Sequence, residues 1–178
     1  YALTGNNFDQ ALALIEKVGY RIHDSRRRTS FIRWTEQLPF TLVQRNRFLW
    51  VHYIIAEFYY SNFTKVSLFL EKLGIIPIPE VEPPSLTSEQ ACAYPLLAAL
   101  ILHTTLDATQ VLELNRKALA ELPAEERLIK GIALGHSGSA SLAMGDIEAA
   151  QAYLAEGIEL IIAEDPWSVA LVFNGYLG

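Results

Sequence analysis

The chain has 178 residues, of which 51% are apolar and 19% charged, and a formal net charge of −6. That apolar content is too high and that charge too low for a disordered chain, and the length suits one domain or a short repeat array with a real core. One cysteine, Cys92, excludes an internal disulfide framework and leaves one thiolate at most for a structural zinc site.

Helical periodicity dominates the chain and β alternation is nearly absent. Phe8, Ala11, Leu12, Ile15 and Val18 share one helix face, so a helix is expected over 7–27, followed by a short one over 30–38 that Pro39 stops. A longer helix is expected over 47–60 and its partner over 63–73. Four prolines between 75 and 84 predict an extended linker. Thr87 or Ser88 caps the next helix, which reaches 105 and carries Pro95 inside it, so a kink or a late start is expected there. Its partner covers 109–122, and Pro123 ends the turn. A last complete pair follows over 125–144 and 147–164, and Pro166 opens a final helix cut off at Gly178.

A capping residue, an apolar residue, two variable positions and a small or β-branched residue recur along this series. The copies begin at Asn7, Asn62, Asp107 and Asp146, spaced by 55, 45 and 39 residues. A helix, a tight turn and a second helix need about 34 residues in a tetratricopeptide repeat and more in its longer relatives. The expected fold is therefore all-α, a right-handed superhelical array of antiparallel helix pairs, a tetratricopeptide-like α-solenoid. It fills 1–178, with a sub-boundary at the proline-rich linker 75–87 that separates pairs in 1–74 from pairs in 88–178. Gly131, Gly135 and Gly138 each cost a free helix roughly 1 kcal/mol relative to alanine. They predict a helix packed closely on both sides, as in a repeat interior.

Charge is unevenly spread. Up to Gln90 there are ten basic and nine acidic residues; from Ala91 onward there are four and eleven. The acidic half argues against nucleic acid wrapping along the chain, since such binding rests on phosphate neutralisation. Arg26, Arg27, Arg28 and Arg33 form the one basic cluster, read as a solvated helix end where cations offset the C-terminal dipole. The longest apolar runs, 96–102 and 48–56, fall far short of the roughly 20 residues that cross a bilayer. With no start methionine and no leader pattern, the sequence reads as a soluble piece of a longer cytoplasmic protein.

No nucleotide-binding, dinucleotide-binding, nucleophile-elbow or zincin motif occurs. His23, His52, His103 and His136 lie about thirty residues or more apart and read as polar helix positions rather than metal ligands. Ser137, Ser139 and Ser141 alternate on a helix and read as small packing residues. No catalytic residues, metal ligands or cofactor are expected in this chain, and no enzyme activity.

Tyr1-Ala2-Leu3, Asn7-Phe8-Asp9-Gln10-Ala11 with Ile15, Trp34-Thr35-Glu36-Gln37-Leu38-Pro39 and Arg47-Phe48-Leu49 occur in this order. Leu122-Pro123, Gly131, Leu134-Gly135, Gly145-Asp146, Ala149-Ala150 and Leu154 follow. The ordered set resembles the helical region of the MalT-like, ATP-dependent LuxR-type transcription regulators. Asn6 and Ser61, where that family has glycine before the second helix, and Asn46, where proline is common, depart from it.

The resemblance implies a cytoplasmic signal-sensing domain that binds a small-molecule inducer or a partner protein. It would relay that event to an ATPase module and a DNA-binding module outside this chain, with self-association of the whole regulator and no direct contact with nucleic acid or membrane. The alternative is a general tetratricopeptide-type scaffold for protein–protein interaction. If a ligand groove exists, the first helix of each pair lines it. Trp50, His52, Tyr53 and Glu57 are then the ligand-binding candidates, aromatic rings for stacking and polar groups for orientation. The simpler reading is that Trp50 and Tyr53 fill the interhelix core.

Overall fold

The structure, a computed structural model, describes residues 8–19, 25–76 and 85–164. Among them every regular element is an α-helix: α1 (Phe8–Gly19), α2 (Ser25–Glu36), α3 (Phe40–Arg45), α4 (Arg47–Phe58), α5 (Phe63–Lys72), α6 (Ser88–Thr104), α7 (Ala108–Glu121), α8 (Arg127–Ala143) and α9 (Ile147–Glu164). None is long and apolar enough to cross a membrane. The chain divides into two compact units, Tyr1–Val66 and Ser67–Gly178. The division falls inside α5, ahead of the proline-rich stretch, whose residues 77–84 lie outside the described residues, as does the helix expected from Pro166.

In the first unit α4 is the central helix, packed against α1, α2 and α3. Leu49, Trp50 and Ile54 of α4 are buried together with Ala11 and Ile15 of α1, Phe31 and Ile32 of α2 and Val43 of α3. The single helix expected over 7–27 is two, because α1 and α2 pack on each other; residues 20–24 between them lie outside the described residues. The break also corrects the reading of the basic cluster. Arg26, Arg27 and Arg28 lie at the start of α2, the wrong end for a cation in the helix dipole, with no acid in that first turn. Arg28 lies over aromatic rings, its guanidinium carbon 3.8 Å from the Tyr59 ring centre and 5.5 Å from that of Tyr60.

Pro39 ends one helix and begins the next. The Leu38 N–H closes α2's last turn on the Thr35 carbonyl at 3.1 Å, and the Pro39 carbonyl then accepts from the Leu42 N–H at 2.9 Å to start α3. Asn46 caps α4 by accepting from the Leu49 N–H at 3.1 Å, and its amide donates to Glu16 of α1 at 2.6 Å. Proline, which lacks an amide N–H and a side-chain acceptor, makes neither bond.

In the second unit α6, α7 and α8 pack on one another, and α9 packs on α8. Thr87 and Gln90 form a reciprocal capping box at the start of α6, with the Gln90 N–H on Thr87 Oγ1 at 3.2 Å and the Thr87 N–H on Gln90 Oε1 at 2.9 Å. Pro95 neither delays the start of α6 nor divides the helix. The residues from Ala91 to Leu102 are all buried, so packing offsets the hydrogen bond that proline removes.

Gly131 and Gly138 of α8 sit in close contact with α9. A Cβ on Gly131 would lie 2.4 Å from Ile161 Cγ1, and one on Gly138 would lie 2.6 Å from Leu154 Cγ, both on α9. Gly157 of α9 completes the seam: its Cβ would meet the Gly131 carbonyl oxygen, the Gly135 nitrogen and Leu134 Cβ, each at 3.1 Å. Backbone atoms cannot swing aside as an isoleucine tip can, so a side chain at Gly157 has little room to be accommodated.

Three helix-to-helix turns share one form. Ser61 (φ 54°), Leu106 (φ 58°) and Gly145 (φ 83°) each take the left-handed conformation immediately before Asn62, Asp107 and Asp146. Asp107 then accepts from the Gln110 N–H and Asp146 from the Ala149 N–H, both at 3.0 Å, capping α7 and α9. Asn7, the first copy of this pattern, lies outside the described residues. A left-handed residue with a side chain is strained by roughly 1–2 kcal/mol. Leu106, 76% exposed, gains little burial in return.

Substituting the two seam and turn positions should therefore give effects of opposite sign in thermal melts. Leu106→Gly is expected to stabilise by about 1 kcal/mol. Gly157→Ala is expected to destabilise by about 1–2 kcal/mol, because overpacking against backbone exceeds the gain in helix propensity.

Candidate functional site

The four candidate residues lie on α4, and the helix separates them. Trp50, Tyr53 and Glu57 follow one another at i, i+3 and i+7 on one face, whereas His52 is turned about 160° from Trp50 around the axis. Trp50 is buried in the first unit's core. His52 is half-buried and donates from Nδ1 to the Phe48 carbonyl, one turn earlier, at 2.8 Å. Its ring lies 4.0 Å, centre to centre, from the ring of Phe48.

Tyr53 and Glu57 belong to a polar network that joins α2, α4 and α5. Glu57 is wholly buried. Its Oε2 accepts from Asn62 Nδ2 at 2.5 Å, and its Oε1 pairs with Lys65 Nζ at 3.2 Å. The same ammonium lies 2.8 Å from Glu36 Oε1, which also accepts from the Tyr53 hydroxyl at 3.1 Å. The Asn62 N–H closes on the Glu57 carbonyl at 3.1 Å, so side chain and backbone together fix the turn from α4 to α5.

A carboxylate in this position is costly unless paired and hydrogen-bonded. The left-handed residue Ser61 turns the chain so that Asn62 and Lys65 face back onto Glu57 and supply both requirements. The network reaches solvent through Glu36 and Lys65, whose side chains are 42% and 49% exposed.

The charges set what this site can do. The hydrogen bond to Glu36, then the contact with Glu57, hold the Lys65 ammonium above the usual lysine range. Burial first, and then the charges of Glu57 and Glu36, push the Tyr53 hydroxyl above the usual tyrosine range. At neutral pH Lys65 is therefore a cation and Tyr53 a neutral donor, neither a nucleophile nor a base. The exposed Glu36–Lys65 end offers one acceptor and one cationic donor side by side, which suits hydrogen bonding to a polar group rather than bond-breaking chemistry. Among the described residues no three His, Cys, Asp or Glu side chains converge where a metal ion could be held.

Glu36, Asn62 and Lys65 are the members that sequence reasoning missed as site residues. Their signal was the spacing Glu57, Asn62, Lys65 across a predicted turn, with Asn62 read only as a cap. The second unit holds another pairing unseen in the sequence. His103 of α6 and His136 of α8 approach to 6.3 Å between ring centres, with their planes nearly perpendicular. Ser137 and Ser139 are buried and donate to the Ala133 and Gly135 carbonyls of their own helix at 2.8 and 3.0 Å, consistent with a packing role.

Comparison of the chain with protein-family models, with curated proteins and with solved structures finds no match in any of the three.

The network makes a signed prediction for pH. Both Lys65 and Tyr53 bind their protons more tightly in the folded state, so their contribution is intact below about pH 10 and is lost as pH rises beyond it. Lys65→Met is expected to lower stability at pH 7 by about 2 kcal/mol, less than for a fully buried pair because the lysine is half exposed. The same variant should lose less than the wild type between pH 8 and pH 11 in denaturant melts.

Proposed function

We propose that this chain is a signal-sensing helical repeat region of a MalT-like, LuxR-type regulator, acting in the cytoplasm. It receives a small-molecule inducer or a partner protein, and it transmits that event to nucleotide-binding and DNA-binding modules elsewhere in the regulator. The observation that carries the reading is the recurrent turn: a left-handed residue, then Asn or Asp, at Ser61-Asn62, Leu106-Asp107 and Gly145-Asp146. Repetition of one connection between helices is what a stacked array of helix pairs requires.

The packing order of the second unit supports a tetratricopeptide-like stack in the same way. First helix on second (α6 on α7), second on next first (α7 on α8), and first on next first (α6 on α8) are the contacts of neighbouring repeats. The ordered motif set from Trp34-Thr35-Glu36-Gln37-Leu38-Pro39 onward is what favours a regulator over a general scaffold.

A ligand that acts as a signal must bind one state of the whole regulator better than another. His52, and the exposed Glu36–Lys65 end of the network, are the side chains placed for such contacts. Glu57 is not, because its carboxylate is enclosed by Lys65 and Asn62.

The first test is the reading frame around this chain. A P-loop module before it and a helix-turn-helix module after it support the proposal, and the lack of both overturns it. The second is a thermal-shift screen of metabolites and peptides against the chain. For a ligand found this way, His52→Ala should weaken binding about fivefold, the effect of losing one hydrogen bond of about 1 kcal/mol, with the chain still folded. A hit confined to peptides would favour the scaffold instead.

A further inference from the structure

Apolar side chains left at the surface gather at one end of the second unit. Leu142 in the last turn of α8, Met144 in the turn that follows and Ile147 at the start of α9 are 44%, 57% and 61% exposed. Leu106, in the α6–α7 turn, is exposed more fully still. Short connections make α6 antiparallel to α7 and α7 antiparallel to α8. α6 and α8 therefore run the same way, and the α6–α7 and α8–α9 turns emerge at the same end. The contact of His103 with His136 sets the last turn of α6 against α8, about two helical turns before α8 ends.

Leu106 carries the most weight. It holds the left-handed conformation that the matching place in the α8–α9 turn gives to Gly145. Burial within the chain does not offset that strain, so the leucine's apolar surface stays available to another molecule.

The rim of this surface is acidic. Asp107, Asp146 and Glu148 stand exposed beside the apolar residues, and no Lys or Arg occurs between Lys130 and Gly178. Arg127 and Lys130 lie in the first turn of α8, at the opposite end of the helix. Arg116 and Lys117 lie two turns into α7 and engage Glu113 at 2.8 and 3.4 Å.

We propose that this end of the second unit is a docking surface for a protein segment that carries apolar anchors flanked by Lys or Arg. The charge selects the occupant. Nucleic acid and anionic lipid are repelled by the acidic rim, and a second copy presenting the same face would set acid against acid. Segment 166–178 of this chain has no Lys or Arg to answer those charges. Apolar anchors would supply the affinity and the cations the steering and selectivity. Met144, unbranched and polarisable, adapts its shape to whatever is laid against it. The surface lies in the other unit from the Glu36–Lys65 pair, and the inference holds whether the chain serves a regulator or a scaffold.

Met144 is the chain's one methionine, so an isotopic label on its methyl group reports on this surface alone in the full chain. The probe is an amphipathic peptide of about 14 residues with leucine on one helix face and lysine on the other, compared with its leucine–glutamate counterpart. The lysine peptide should shift the methionine signal and bind more weakly as salt rises; the glutamate peptide should do neither. Replacing two exposed residues together, Met144→Ser with Ile147→Ser, should weaken the lysine peptide about tenfold, read by its fluorescence anisotropy. Leu106→Gly should weaken it about fivefold while raising the melting temperature, a combination that a purely structural role for the leucine does not give. No binding of the lysine peptide, equal affinity for both peptides, or an affinity unchanged in either variant overturns the proposal. So does contact between the Met144 methyl group and the Trp167 ring in the free chain, which assigns the surface to segment 166–178. A dimer that the Met144→Ser, Ile147→Ser pair dissociates overturns it too, in favour of a second copy.

Discussion

Everything in this protein depends on reversing a helix within three or four residues without leaving backbone amides unpaired. A sharp reversal needs one residue in the left-handed region, and the next helix needs an acceptor for the amides of its first turn. The second unit meets both needs with adjacent residues, Leu106-Asp107 and Gly145-Asp146, whereas in the first Ser61 takes the left-handed conformation and Asn62 turns its amide onto Glu57. Gly145 adopts the conformation at little cost, whereas Ser61 and Leu106 adopt it against their side chains. The strain persists because the helices on either side pack once the turn is made, and a few hundred square ångströms of apolar surface outweigh one strained dihedral.

What fills the space between the helices differs in the two units. The second unit is assembled by removal of side chains: Gly131, Gly138 and Gly157 let two backbones approach to contact distance. The first is assembled around large groups, with Trp50 and Phe31 enclosed in its core and an ionised network at the rim. Close backbone approach gains dispersion contacts but leaves no room for functional groups. A paired buried carboxylate gains little net stability, yet it fixes which partners must be present. The geometry around Glu57 accordingly specifies the turn between α4 and α5 and leaves Glu36 and Lys65 at the surface as the polar end of the site.

The helices were legible because their apolar spacing and caps are local. Thr87 with Gln90, Asp107 and Asp146 stand within one turn of the amides they satisfy, and the glycines of α8 state their packing by their own lack of side chains. Boundaries failed where a local signal was ambiguous. Pro39 both stops a helix and opens another, which hid α3. The basic cluster was misread for the same reason, since an arginine's place in the dipole depends on where the break falls.

The sequence by itself determined the helical class, the caps and the positions of close packing, because each follows from interactions over three or four residues. Only tertiary structure decided that Glu57 is enclosed by Lys65 and Asn62, that Glu36 and Tyr53 join them, and that His103 meets His136. Those encounters bring together residues up to 33 positions apart on different helices. Their charge states follow from burial and from one another, and neither exists until the helices have docked.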